Sequence, residues 1–346
     1  MWSYILKRLL LMIPTLFGIM AITFAVIQFV PGGPVEQMVS QLQGRNAGGE
    51  GPSAAGVGYR GRQGVDAERI AEIRTLYGFD KPASQRFAQT MGQFARFDLG
   101  RSFFHNKGVW QLIREKLPVS ISLGMWTFFL TYLVSVPLGI AKAVRAGTRF
   151  DAATTFLVLL GYAIPSFVMG VLLMVAFAGG SWVQWFPLRG LTSMNWDQLS
   201  AMGKVMDYLW HIVLPITAMV LGSFAVISIM TKNSVLEEIH KQYVLTARAK
   251  GASERSVMWR HVFRNALIPI MTGFPAAFVG AFFSSSLLIE TLFSLDGLGL
   301  LSYESVIRRD YPVVLGSLFF FTLIGLVTTL IRDLSYLWVD PRVKYD

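Results

Sequence analysis

Few residues in this 346-residue chain are able to do chemistry, and their spacing excludes most of what they might do. There is no cysteine, which removes disulfides, thiol nucleophiles and cysteine metal sites. The four histidines, His105, His211, His240 and His261, show no H-E-x-x-H or other paired ligand spacing. No G-x-S-x-G nucleophile elbow occurs. The Walker pattern G-x-x-x-x-G-K-[ST] is absent as well, because the only Gly-Lys pair, Gly203-Lys204, is followed by Val205. The sequence therefore assigns this chain no catalytic residue, no metal site and no cofactor of its own. One hydroxyl cluster remains, Ser284, Ser285 and Ser286, inside an apolar run. It is a candidate lining for a polar path, although ordinary helix packing explains it better.

A second polar feature is the stretch YVLTARAKGASERSVMWRHVFRNALIP, residues 243–269. Helix formers run from Ser234 to Lys250, and Gly251 stands where a left-handed residue ends a helix. Ser253 then serves as an N-cap, with Glu254 in the favourable first turn of a helix running to about Ala266. A loop that merely carries positive charge to one membrane face is the plain alternative. Such a loop needs neither a helix–glycine–helix turn nor the small residues Ala247, Ala249 and Ala252 around it. Together these make a compact knuckle able to enter a groove on a partner.

The elements that hold these residues are apolar. Hydrophobic residues make up 53% of the chain and charged ones 15%, with a mean hydropathy of +0.49. Soluble domains carry about 25% charged residues, so an integral membrane protein is indicated. Six runs contain no Asp, Glu, Lys, Arg or His: Leu9–Val30, Leu117–Ala141, Ala152–Ala178, Ile212–Thr231, Ala266–Ile289 and Val313–Ile331. Each supplies roughly the 20 apolar residues that a membrane-spanning helix needs. Buried ionisable residues are what proton-coupled carriers use, so energy for uphill transport is expected from another subunit. The first run is too long for a signal peptide and has no A-x-A site. Basic residues gather in 142–151 and 232–265, which marks those loops and both termini as cytoplasmic. The net charge of +10 is thereby read as membrane orientation and lipid contact rather than nucleic-acid binding.

Between the first two spans, residues 44–64 hold eight glycines in 21 residues and read as a flexible insertion. Asp66 is an expected N-cap for a helix carrying Ile70, Ile73 and Tyr77 on one face and ending at Gly78. A second amphipathic piece, Ser84–Phe97, places Phe87, Met91 and Phe94 together. Pro14, Pro137, Pro165, Pro215, Pro269 and Pro275 lie within spans, where neighbouring helices can satisfy the freed backbone groups.

TARAKGAS followed by RHVFRNALIP resembles the cytoplasmic coupling loop of ABC importer permeases, in the branch that carries dipeptides, oligopeptides and nickel. The similarity extends along the chain: the N-terminal KRLL and IPTL with PGGP, then FDLGRSF (97–103), PVSISL (118–123), FSLDGLGLL (293–301), RDYPVVLG (309–316) and the closing DPRVKY (340–345). These pieces resemble the first of the two permeases in such systems. The wider family's E-A-A triplet is here Leu245-Thr246-Ala247, so only Ala247 and Gly251 carry over directly. The glycine-rich insertion and the outer segments 189–200 and 207–215 are similar to oligopeptide permeases of the Yej type, associated with microcin C uptake.

The resemblance implies an all-α type I permease of six transmembrane helices in the bacterial inner membrane. Residues 1–31 would form a peripheral helix, and 32–116 a periplasmic loop with two short amphipathic helices. Residues 117–332 would be a five-helix core with the coupling loop at 232–266, and 333–346 a cytoplasmic tail. Tyr243, Thr246, Ala247, Arg248, Ala249, Lys250, Gly251, Ala252, Ser253 and Glu254 would contact an ATPase. The implied partners are a second homologous permease, two ATPase domains or subunits binding ATP-Mg, a periplasmic peptide-binding protein and the peptide itself. A self-sufficient secondary carrier or channel is the alternative from another class, and a membrane-embedded enzyme a third.

Overall fold

In a computed structural model, residues 2–29, 75, 80–179, 182–282 and 286–339 are described. Among them the structure is helical, with one isolated bridge, Arg101 to Gly108, and no sheet. The expected helix at Asp66, Ile70, Ile73, Tyr77 and Gly78, the glycine-rich 44–64 stretch and residues 340–346 lie outside the described residues. The chain divides into two compact units, one made of 1–5, 116–300 and 325–346, the other of 6–115 and 301–324.

The first unit is organised by α6 (Ala201–Ile239), which begins at Ser200, whose hydroxyl accepts the Gly203 N–H at 3.1 Å. An apolar, charge-free middle lets this helix be buried on several sides. It packs against α4 (Arg149–Ala163) and α5 (Ser166–Phe177). The helix α3 (Val109–Val144) approaches it at Gly139, where a Cβ would fall 2.5 Å from the Thr231 Cβ. Gly222, Gly273 and Gly280 have no such neighbour within 4 Å. The loop that precedes α6 is held to it by Asp207, which accepts the Ser193 N–H at 2.9 Å, and by Trp210, which donates to the Trp185 carbonyl at 2.8 Å.

Two of the six apolar runs are not single straight helices. Pro165 forces its predecessor Ile164 out of the helical region, to ψ 119°, and α4 and α5 meet at a bend of 98°. The run Ala266–Ile289 is likewise divided. After a 52° bend at Leu267, α9 (Ile268–Ala281) ends well before Ile289, which belongs to the separate α10 (Leu287–Leu292). By contrast, Pro14, Pro137, Pro215 and Pro275 stay inside helices. Among the described residues four helices are long and apolar enough to span a membrane, and counting each bent pair as one span gives up to six.

The second unit contains most of α1 (Trp2–Phe29), α2 (Ala83–Phe94), the start of α3, and parts of α11 (Leu298–Ile307) and α12 (Tyr311–Val339). Phe87 of α2 packs on Phe17 and Phe24 of α1, and Phe94 meets Phe319 at 5.3 Å. The amphipathic stretch thus forms a helix as expected, but it stops at Phe94. The backbone then turns through Phe97, whose φ is 58°. Asp310 ties the two halves of this unit together. Its buried carboxylate accepts the Ser102 hydroxyl and the Phe103 N–H, the latter at 3.1 Å.

Candidate functional site

The knuckle is built from three pieces. Past Ile239 the chain pauses at His240 and Lys241, so the single expected helix Ser234–Lys250 is in fact the end of α6 plus a short α7 (Gln242–Ala249). The α7 C-terminus closes with two reverse hydrogen bonds, Gly251 N–H to Arg248 carbonyl at 2.9 Å and Ala252 N–H to Ala247 carbonyl at 3.2 Å. This is the Schellman arrangement, which needs a left-handed residue, and Gly251 supplies it at φ 78°. Ser253 then accepts the Ser256 N–H and starts α8 (Glu254–Ala266), whose middle, Val257–Val262, is a π-helix. Arg248 spans the turn with a two-pronged ion pair to Glu254, at 2.8 and 3.2 Å.

Burial sorts the candidate residues into two faces. Val244, Ala247, Val257, Val262 and Ala266 form a core with Ala143 and Val235 of the supporting helices. Ala247 is only 9% exposed, so the three alanines do not make one small surface: Ala247 packs inward, Ala252 is half-buried and Ala249 faces out. The outward face carries Leu245, Thr246, Ala249, Lys250, Gly251 and Ser253. Leu245 and Trp259 are 48% and 61% exposed, large apolar groups left open on a polar turn.

A polar brace that the sequence reading passed over fixes α7. Glu238, buried at the end of α6, accepts from Lys241 and from the Tyr243 hydroxyl. Asn265 of α8 donates to the Tyr243 oxygen at 3.0 Å and to the His261 carbonyl at 3.2 Å. Burial and then the neighbouring Glu238 push the Tyr243 hydroxyl above the ordinary tyrosine range, although its bond from Asn265 pulls the other way. Tyr243 therefore works as a neutral donor clamp. Its usable signal was a carboxylate and a tyrosine flanking a helix break, five residues apart.

Ser284 and Ser285 lie outside the described residues, and Ser286 sits just before α10 with no side-chain capping bond. The polar chemistry nearby belongs instead to Glu290, which is fully buried. Its carboxylate accepts the Leu300 N–H at 2.8 Å, and the Ser120 hydroxyl accepts the Leu298 N–H at 2.9 Å. A Cβ at Gly297 would fall 2.5 Å from the Glu290 carboxyl carbon. The FSLDGLGLL segment is thus a tight wrap around one carboxylate that satisfies the first N–H groups of α11. Elsewhere, Asp151 accepts from Lys232 at 2.7 Å while the neighbouring Lys142, 0% exposed, has no hydrogen-bond partner for its Nζ. No group of three or more potential metal ligands occurs among the described residues.

Residues 135–345 match the family model described as "Binding-protein-dependent transport system inner membrane component". The peptidoglycan transport system permease protein YejB of Agrobacterium fabrum is 54% identical over 100% of this chain and 99% of its own length. The inner membrane ABC transporter permease protein YejB of Escherichia coli O157:H7 is 51% identical over the whole of both chains. The di/tripeptide transport system permease protein DppB of Pseudomonas aeruginosa is 31% identical over 100% of this chain and 99% of its own. With its helical spans and its helix–glycine–helix turn, this chain belongs to the family of binding-protein-dependent transport system inner membrane components, as a permease subunit of the ABC importer type.

Proposed function

We propose that this chain is one of two permease halves that together enclose a path for oligopeptides across the inner membrane. Two ATPase domains carrying ATP-Mg dock on the knuckle, and a periplasmic binding protein delivers cargo to the opposite face. The observation that carries the coupling role is the knuckle itself. A Schellman turn at Gly251 presents Leu245, Ala249, Lys250 and Ser253 outward from a fully packed apolar base. A rigid base under an exposed tip is what a lever needs, since force applied at the tip reaches α6 and α9 without being lost in a flexible loop. The chain has no Walker pattern, so hydrolysis falls to the partners. Peptide cargo is supported by the DppB and oligopeptide AppB relatives, and the Yej-type relationship extends it to microcin C-like peptides. A second reading, peptidoglycan-derived cargo, is favoured by the name of the Agrobacterium relative.

Gentle purification of the tagged chain tests this. A second permease and two ATPase domains in stoichiometric amounts, with uptake of labelled oligopeptides in proteoliposomes that needs ATP and a binding protein, is the expected result. Transport by the isolated chain alone would replace the proposal with a self-sufficient carrier. Uptake of peptidoglycan fragments but not of plain oligopeptides would select the second reading.

A further inference from the structure

We infer that Asp151 is an exchangeable counter-ion, paired with Lys232 in the conformation seen here and handed to Lys142 in a second conformation that the ATPases drive. The inference rests on the coupling role proposed for the knuckle. Three helices of the first unit supply the residues: Lys142 at the end of α3, Asp151 in the first turn of α4, and Lys232 on α6. Each stands immediately beside the end of a charge-free apolar run, next to Ala141, Ala152 and Thr231. The charges that act on Lys142 are those of Asp151 and Lys232. The three therefore form one charged layer where hydrocarbon gives way to water.

One carboxylate here serves two ammonium groups. Both Asp151 oxygens accept from Lys232 at 2.7 Å. Asp151 is itself anchored, since it accepts the Gly147 N–H at 3.2 Å and lies at the positive end of α4. The two lysines differ in their access to water. The Lys232 side chain is 20% exposed and can be hydrated when unpaired. Lys142 is fully buried, and its Nζ has no hydrogen-bond partner among the described residues. A buried ammonium without an acceptor is strongly unfavourable. Pairing Asp151 with Lys142 would satisfy both lysines, one by the carboxylate and the other by water. The pairing seen here satisfies one, so helix position and solvation favour opposite partners, which gives the layer two competing states. The joint has room to switch: α3 and α6 cross at Gly139 and Thr231, within a turn of the lysines, and a lysine stem is flexible. Ala143 and Val235, on the same two helix ends, belong to the packed base of the knuckle, so motion there reaches this layer.

The test uses the full chain in the complex it forms, briefly acetylated with acetic anhydride and read by quantitative mass spectrometry at each lysine. Labelling is compared without nucleotide and with the non-hydrolysable analogue adenylyl imidodiphosphate plus Mg. In the wild type, Lys232 labelling should rise with the analogue, because Asp151 leaves it, while Lys142 stays unlabelled in both states. Lys142→Met removes the second partner, so the rise at Lys232 should be lost and binding-protein-stimulated hydrolysis should fall with it. A purely structural role for Lys142 would leave the rise intact. Lys232 labelling that ignores nucleotide in the wild type overturns the exchange, as does an undiminished rise in Lys142→Met. The wild-type comparison needs no variant, so it decides the matter even if Lys142→Met fails to assemble. Stimulation in Gly251→Val is the separate test of the knuckle. Its loss alongside constant Lys232 labelling would leave the coupling role standing and the exchange refuted.

Discussion

Gly251 and its neighbours separate two ways of damaging one joint. At φ 78° Gly251 holds a conformation that costs a side-chain-bearing residue about 1–2 kcal/mol, and nothing lies within 4 Å of an added Cβ. Gly251→Val should therefore distort the turn through the backbone alone, weakening ATPase docking by a factor of roughly 5–30 at that strain energy. Insertion of the spans should be unaffected, which membrane-fraction levels would check. Ala247 and Ala249 divide the question further. Ala247→Asp places an unpaired charge in the packed base, so the melting temperature of the complex should fall. Ala249→Asp, on the open face, should leave melting unchanged and lower ATPase stimulation. Equal melting for both variants would show that Ala247 is not a core residue. Lys142 makes an opposite test: with Asp151 already paired to Lys232, removing a buried ammonium leaves a balanced pair. Lys142→Met should raise the melting temperature by a few degrees, and a fall would show that the ammonium is held in place by an interaction the substitution removes.

At the level of elements, the apolar runs and the Gly251 turn were legible in the sequence because each depends on local composition and one residue's backbone freedom. The breaks at Pro165 and Leu267 were not, since seven prolines occur within the apolar runs and five of them, Pro14, Pro118, Pro137, Pro215 and Pro275, stay inside helices. Whether a proline bends or breaks depends on what neighbours offer the freed carbonyls, which is a tertiary fact. The inward turn of Ala247 was hidden for the same reason, as alanine suits either face. Asp310 shows how distant motifs converge: RDYPVVLG closes on FDLGRSF through one carboxylate. Burial raises that carboxyl above the ordinary aspartate range, ahead of the opposing bonds from Ser102 and the Phe103 N–H. A raised folded value means that its contribution is largest below the ordinary aspartate pKa. That contribution is lost as pH rises through the raised value. Melting followed from about pH 4 to about pH 7 should show this downward slope, and Asp310→Asn should flatten it. An unchanged slope in the variant would assign the pH dependence to another group.

For the whole molecule, the proposed arrangement places both termini and the knuckle in the cytoplasm, with 32–116 and 179–210 in the periplasm. The chain lacks native cysteine, so single engineered cysteines report topology cleanly. A cysteine at Ser53 should label in intact spheroplasts, and labelling only after the interior is opened would reverse the arrangement. Deleting about half of residues 44–64 should leave the complex assembled, because a glycine-rich stretch has little apolar surface to offset the entropy of ordering.

The central claim is that ATP hydrolysis and transport are linked through the knuckle. Hydrolysis by the purified complex, measured with and without cargo-loaded binding protein for the wild type, Ala249→Asp and Gly251→Val, tests it most directly. The wild type should be stimulated by the loaded binding protein. Both variants should keep normal membrane levels, and Ala249→Asp the same melting temperature, yet both should lose most of that stimulation. Full stimulation in both would contradict the account, because the tip of the knuckle would then be irrelevant to the coupling it is proposed to carry.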